Sequence, residues 1–156
     1  MAPEDPTHAA DVPLVRQVVL DCPHPRTLAE FYRGLLDYEY RDGDEPPPDG
    51  EPDPLGDDWL VLRPRGADAS AGRGMAFQRA DPYEPPVWHS GPVPSSHQLQ
   101  MLHLDMSVPD VAALARQRER ALMLGATELF DRTDDPDEPL HVFADPAGHP
   151  FCVFVG

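Results

Sequence analysis

The sequence predicts an α+β fold of two tandem βαβββ modules that together enclose a cavity. Three observations support this prediction: strand-type and helix-type segments occur twice in the same order, the two halves match at one constant offset, and a proline-rich segment separates them. The expected divisions are a disordered lead-in over residues 1–13, a first module over 14–80, a linker over 81–98 and a second module over 99–156, which form one structural domain overall.

The composition favours a small-molecule partner over nucleic acid or membrane. With 156 residues and 40% apolar content, the chain can bury one compact core. Its formal net charge of −16 repels nucleic-acid phosphates and anionic membrane surfaces. No segment approaches the roughly 20 apolar residues of a membrane span, and the N-terminus lacks the features of a secretory signal. Because the two cysteines also read as free thiols, we expect a cytoplasmic protein.

The first module begins with a strand and continues with an amphipathic helix. Residues 14–23, LVRQVVLDCP, are rich in β-branched side chains. In HPRTLAEFYRGLL, which follows, Leu28, Phe31 and Leu35 recur at helical spacing. Residues 42–58 carry eight acidic residues and five prolines, which predicts a solvated loop that forms no packed element. The remaining predicted elements are strands at 37–41, 59–64 and 73–80 and a turn at 67–72.

The second module repeats this order of elements. Residues 99–108 predict a strand and residues 109–125 a helix, in which Pro109 takes an early helical position and Gly125 the C-cap. The remaining predicted elements are strands at 126–132, 140–146 and 150–156, an acidic turn at 133–138 and a DPAGH turn at 145–149.

An offset of 86 residues superposes the two halves. The matched pairs include Gln17 with His103, Pro23 with Pro109, Leu28 with Leu114 and Leu36 with Leu122. Strand, turn and helix positions agree at this one offset, which indicates a duplicated module. A half-sheet that pairs with its copy encloses a cavity, and such a concave, mostly apolar site is the default position for a ligand.

Three segments resemble the glyoxalase, bleomycin-resistance and dioxygenase superfamily, also called vicinal-oxygen-chelate proteins. VVLDCPHPRTLAEFYRGLL resembles the opening of a first module, HLDMSVPDVAAL the opening of a second, and FADPAGHPFCVFV its closing hairpin with a DPxG turn. The resemblance is closest to the glyoxalase-like domain branch. It implies an open curved sheet with the helices outside and a homodimer. It leaves the activity open, because this fold carries isomerases, dioxygenases, epimerases, lyases and drug-sequestering proteins.

The resemblance also implies four cavity positions that hold a metal in metal-using members. They are Gln17 and His103 on the first strands and Gln78 and Cys152 on the closing strands. A Gln and a His match a glyoxalase I pattern, but the two carboxylates are absent, and an amide cannot act as a general base. We therefore expect no cofactor, with a divalent metal as the less favoured alternative. The expected ligand-binding residues are Gln17, Gln78, Trp88, His103 and Cys152.

Each candidate residue has a plainer structural alternative. His103 either faces the cavity or is a partly buried, hydrogen-bonded histidine. Asp105, on the same strand face, either orients this imidazole for catalysis or makes a structural hydrogen bond. Cys152 is an inert buried thiol or a soft metal ligand, and Trp88 is expected to form a lid or stacking surface. The sequence shows no group of catalytic or metal-binding partners for the three histidines His24, His141 and His149.

Two functions of different classes follow from these residues. The first is binding of a small, aromatic or hydrophobic molecule in the inter-module cavity, as in bleomycin-resistance-type members. The second is a lyase or isomerase that uses His103 with Asp105, with or without a divalent metal. A structural or regulatory domain with a filled cavity is a third alternative. Metal content and a His103→Ala variant distinguish the first two.

Overall fold

The computed structural model describes residues 13–68, 71–88 and 98–156. Its elements are β1 (Gln17–Cys22), α1 (Pro25–Leu36), β2 (Tyr38–Tyr40), β3 (Trp59–Pro64), β4 (Gly74–Arg79), β5 (Leu104–Val108), α2 (Val111–Leu124), β6 (Thr127–Asp131), β7 (Leu140–Ala144) and β8 (Pro150–Val155). The expected lead-in, apart from Pro13, and residues 89–97 of the expected linker lie outside the described residues. Neither described helix has the length and apolar character needed to cross a membrane.

Each module forms one four-stranded mixed sheet, and the two sheets share one topology. The strand orders are β1-β4-β3-β2 and β5-β8-β7-β6. In both sheets the first and last strands of the module run parallel, and the other neighbours pair antiparallel. The two sheets stay separate and unclosed among the described strands. This arrangement confirms the predicted α+β fold of two βαβββ modules.

Both helices begin and end where the sequence offers a suitable residue. Pro25 opens α1, where a missing N–H costs nothing. At the start of α2, the Asp110 carboxylate accepts a hydrogen bond from the Ala113 amide at 2.7 Å. Gly125 ends α2 with a φ of 110°, which confirms the predicted C-cap. The helical position predicted for Pro109 is wrong, because Asp110 is the N-cap and Pro109 precedes it.

One aromatic core joins the two modules. Tyr32 of α1 stacks on Phe77 of β4, with ring centroids 5.9 Å apart, and meets Phe151 of β8 edge-on at 6.3 Å. Phe151 in turn stacks on Phe143 of β7 at 5.3 Å. All four rings are fully buried. Since a helix of the first module packs against a strand of the second, the modules share their buried apolar surface.

The acidic segment 42–58 forms no helix or strand, but it packs more closely than predicted. Arg26 of α1 donates two hydrogen bonds to the Asp53 carboxylate, at 2.7 and 2.9 Å, and one to the Asp44 carbonyl oxygen at 2.7 Å. The buried Asp44 carboxylate accepts a hydrogen bond from the Val61 amide at 2.9 Å. Most residues of the segment are exposed, as predicted, and the contacts of Arg26 hold it at Asp44 and Asp53.

Candidate functional site

The second sheet has a core face and an open face, because side chains alternate along each strand. Cross-strand pairing aligns Phe130 with Val142, Val142 with Cys152, and Cys152 with Asp105. The adjacent residue Phe151 belongs to the core. The aligned row therefore lies on the open face, where it forms the floor of a cavity.

This cavity, which we call the Trp88 cavity, has a volume of about 320 Å³. Its lining includes Trp88, His103, Arg132, Leu140, Cys152 and Phe154. Apolar side chains share this lining with four polar ones, His103, Asp105, Arg132 and Glu138. Polar groups that converge on a concave surface are typical of sites for small molecules. Three of the residues expected to bind ligand thus lie together, namely Trp88, His103 and Cys152.

His103 lies just before β5, so the strand predicted over residues 99–108 begins later than expected. Its Nε2 is 3.2 Å from Asp105 Oδ1, and the two side chains are 39% and 63% exposed. The Trp88 ring meets the imidazole edge to face, with centroids 6.1 Å apart and an angle of 86° between the planes. The His103–Asp105 pair is therefore open to a molecule in the cavity.

Trp88, which lines this cavity, carries a buried hydrogen-bond donor. The neighbouring Val87 amide donates to the Gln98 carbonyl at 2.9 Å, and this contact ties the two described ends of the linker together. The indole Nε1 of Trp88 is buried and has no hydrogen-bond partner among the described residues. Leaving a buried N–H unpaired costs about 1–3 kcal/mol. A ligand with an acceptor atom would remove this cost.

Cys152 contributes an apolar wall rather than a reactive thiolate. Burial, together with the charge of Asp105, raises the pKa of its thiol to about 11. The thiol is therefore protonated at neutral pH, which makes it a weak nucleophile. Cys22 is likewise free and buried, and burial raises the pKa of its thiol to about 12.

The two glutamines lie apart from the other candidates. Gln17 lines a groove of about 340 Å³ between β1 and β5, and His103 and Cys152 line the Trp88 cavity; Asp105 lines both, so the two spaces are neighbours. Gln78 is exposed and lines neither. Donor atoms must converge on a metal ion. Among the described residues, no single cavity is lined by all four of these side chains.

The strand register explains the position of Gln78. Cys152 pairs with Asp105, and at the offset of 86 residues Asp105 corresponds to Val19. The partner of Val19 on β4 is Ala76. Ala76, rather than Gln78, thus occupies the first-module position that corresponds to Cys152.

A different group of potential metal ligands lies on the core face of the second sheet. Glu128, Asp131 and His141 each offer one ligand atom, and the three atoms lie within 4.8 Å of one another. His141 is 2% exposed, and its Nδ1 lies 2.8 Å from Glu128 Oε1 and 3.8 Å from Asp131 Oδ1. Imidazole nitrogen and carboxylate oxygen are donors that Zn²⁺ accepts. Arg118 of α2 holds Glu128 through two hydrogen bonds of 2.9 Å and offsets part of the negative charge.

The prediction that His141 has no metal-binding partners is wrong, because a β-bulge brings Glu128 and Asp131 close to it. Glu128 and Asp131 are three positions apart, so in a regular strand their side chains would point to opposite faces. The pairing of β6 with β7 shifts between Glu128 and Phe130, which brings Glu128 opposite Phe143 and Asp131 opposite His141. No pattern in the sequence marks this bulge.

His149 also has partners that the sequence did not reveal. Its Nδ1 lies 3.0 Å from Asp145 Oδ2. The Asp145 carboxylate, which is 4% exposed, also accepts the amides of Ala147 and His149 at 2.9 and 3.0 Å and the Tyr32 hydroxyl at 2.7 Å. The Asp145 carboxylate thus connects the DPAGH turn of the second module to helix α1 of the first.

His149 faces the largest cavity described here, which lies between the modules and has a volume of about 390 Å³. This inter-module cavity is lined by Asp21 of β1, by Tyr83 of the linker, and by Gln100 and His149 of the second module. His103 lines both this cavity and the Trp88 cavity, so the two are neighbours.

Solved structures of low sequence identity share this fold. A glyoxalase/bleomycin resistance protein/dioxygenase family enzyme from Burkholderia phytofirmans has 11% identity and a TM-score of 0.62, over 92% of this chain and 98% of its own. A fosfomycin resistance protein from Mesorhizobium loti has 13% identity and a TM-score of 0.57, over 92% of each chain. A lactoylglutathione lyase from Agrobacterium tumefaciens has 13% identity and a TM-score of 0.55, over 94% of this chain and 96% of its own.

At these identities the similarity shows the fold and not the activity. No curated protein is significantly similar to the chain in sequence. Residues 17–154 match the model of the glyoxalase-like domain. Given this match over nearly the whole chain, the protein belongs to the glyoxalase-like domain family.

Proposed function

We propose that the protein binds a small, aromatic or hydrophobic molecule in the Trp88 cavity. The observation that carries this proposal is the Trp88 cavity itself, whose lining combines aromatic rings with polar groups and includes Trp88, a residue with a buried indole N–H that has no partner among the described residues. A flat apolar ligand would pack against Phe130 and Phe154, and one acceptor atom on it would satisfy the indole. His103 and Asp105, at the same cavity, would orient a second polar group of the ligand.

The charges at the cavity favour a neutral or cationic ligand. Its one arginine, Arg132, is held by Asp135 at 3.0 Å and by Glu138 at 2.7 Å. Asp105 and Glu138 add negative charge to the wall, and the whole chain carries a formal charge of −16. An anionic ligand would meet repulsion on approach.

Coumarin and naphthalene, two flat neutral molecules, test this proposal by isothermal titration calorimetry. Coumarin carries a carbonyl acceptor, and naphthalene has none. Because a neutral hydrogen bond contributes about 0.5–1.5 kcal/mol, coumarin should bind roughly two- to tenfold more tightly. The Trp88→Phe variant keeps a ring but loses the donor, and it should abolish this preference.

Trp59→Phe is the matched control, because Trp59 lies on β3 and lines neither cavity. It also leaves Trp88 as the single tryptophan, so coumarin should quench its fluorescence in a saturable way. If neither compound binds, or if Trp88→Phe leaves the preference unchanged, the proposed binding site is wrong.

The alternative function is a lyase or isomerase in which His103 moves a proton. It is favoured by the accessible His103–Asp105 pair, whose atoms lie 3.2 Å apart. The test is elemental analysis of protein purified without chelator, together with the His103→Ala variant. Stoichiometric metal that disappears in the variant would favour the enzyme and count against a binding-only protein.

The proposal extends to assembly and location. We expect a cytoplasmic homodimer, which the family membership and the two free, buried thiols support. Light scattering coupled to size exclusion measures the mass of the particle in solution. A particle of one 17.3 kDa chain would contradict the dimer.

A further inference from the structure

We infer that the inter-module cavity is a second binding site, which takes a small protonated amine and uses His149 as its main hydrogen-bond acceptor. This cavity shares His103 with the Trp88 cavity, but Asp21, Gln100 and His149 line only the inter-module cavity of the two.

Asp145 fixes the orientation and tautomer of His149. The imidazole Nδ1 lies 3.0 and 3.2 Å from the two oxygens of the Asp145 carboxylate. That carboxylate is itself held by the Tyr32 hydroxyl at 2.7 Å, so it cannot swing away. A histidine whose Nδ1–H donates to a carboxylate presents Nε2 as an acceptor. The contact with Asp145 therefore leaves Nε2 of His149, a residue that lines the cavity, as a hydrogen-bond acceptor.

Tyr83 does not occupy this acceptor. Its hydroxyl oxygen lies 3.4 Å from His149 Nε2, but the hydroxyl donates its proton to the Ala147 carbonyl oxygen at 2.7 Å. Burial raises the pKa of Tyr83, so the hydroxyl keeps this proton. The lone pair on Nε2 thus remains available to a molecule in the cavity.

A second, independent observation points to a ligand with hydrogen-bond donors. Gln100, which lines the same cavity, has a buried Oε1 with no hydrogen-bond partner among the described residues. The Asp21 carboxylate lines the cavity as well. The cavity thus offers the imidazole of His149 and the carboxylate of Asp21, and Gln100 in its lining has an amide oxygen that lacks a donor. An ammonium group supplies three N–H donors and a positive charge, which complement this set.

The apolar part of the cavity suits a short alkyl chain. Val19, Leu20 and Leu104 line it beside the acceptors. The formal charge of −16 also attracts a cation to the protein. The chemical class that fits is therefore a primary alkylamine.

Butylamine and 1-butanol, titrated into the full-length protein at pH 8 and followed by NMR chemical shifts, test this inference. The two probes share a chain and differ in the charged donor group. Butylamine should bind in a saturable way, and 1-butanol should bind at least roughly tenfold more weakly, because it lacks the charge-assisted hydrogen bonds. Equal affinity for the two probes, or no saturable binding of butylamine, would overturn the inference.

Two variants locate the binding site. His149→Ala and Gln100→Leu should each weaken butylamine binding, and both should still bind coumarin in the Trp88 cavity. The matched control is His24→Ala, because His24 is exposed and lies outside this cavity. His149→Ala also removes a partner of the buried Asp145, whereas Gln100→Leu leaves that network intact. Wild-type affinity for butylamine in Gln100→Leu and in a folded His149→Ala would show that the amine binds elsewhere.

Discussion

The Tyr32 hydroxyl of α1 donates a 2.7 Å hydrogen bond to Asp145 Oδ2 in the turn before β8, across 113 positions of the sequence. Both residues are buried. Burial, with the charge of Asp145, holds the pKa of Tyr32 well above its usual range, so the hydroxyl remains a donor. This bond joins the helix of one module to the closing hairpin of the other.

Loss of this bond should destabilise the whole protein. Tyr32→Phe leaves the buried Asp145 carboxylate one donor short, and a hydrogen bond to a charged group contributes about 1.5–3 kcal/mol. Urea denaturation measures the free energy of unfolding. Tyr83→Phe is the control, because it loses a hydrogen bond to a neutral carbonyl, which contributes about 0.5–1.5 kcal/mol. A smaller effect in Tyr32→Phe than in Tyr83→Phe would contradict this assignment.

Arg26 should protect the acidic segment 42–58 from proteolysis. Arg26→Ala removes the contacts to Asp53 and to the Asp44 carbonyl, so the segment should open more often and be cut faster by a protease that cleaves on the N-terminal side of aspartate. Arg65→Ala is the matched control, since Arg65 pairs with Asp37 at an exposed position. Equal cleavage rates in the two variants would show that Arg26 does not restrain the segment.

The Arg26–Asp53 pair should also make stability depend on acid pH. The hydrogen bond from Arg26 lowers the pKa of Asp53 below its ordinary value of 3.8. A carboxyl with a depressed folded-state pKa stabilises the fold fully above its unfolded pKa, and this contribution is lost as the pH falls through the folded pKa. Wild type should therefore exceed Asp53→Asn in stability at pH 6, and the difference should shrink below about pH 4. A difference that does not change with pH would exclude this linkage.

Zn²⁺ is predicted to bind at Glu128, Asp131 and His141. The buried Nδ1 of His141 lies 2.8 Å from Glu128 Oε1 and 3.8 Å from Asp131 Oδ1, so the three potential ligand atoms already converge. A ligand that binds the folded state stabilises it. Zn²⁺ should therefore raise the melting temperature of the wild type and of His24→Ala, but not of His141→Ala. The same shift in all three proteins would place the ion elsewhere.

The duplication and the fold class followed from the sequence, because they depend on local patterns. Apolar residues at helical spacing marked α1, and Gly125 marked the end of α2. The offset that pairs Gln17 with His103 predicted two copies of one module, and the two sheets have the same strand order. Such patterns reflect the periods of helix and strand, which each segment sets for itself.

The grouping of side chains was decided by the tertiary structure alone. Strand register put Ala76, not Gln78, at the position of Cys152, and a bulge in β6 turned Glu128 and Asp131 towards His141. The linker brought Trp88 against His103, and the turn after β7 placed His149 beside Asp145. Register, bulges and loop paths depend on packing between distant segments, and a local sequence pattern carries no information about that packing.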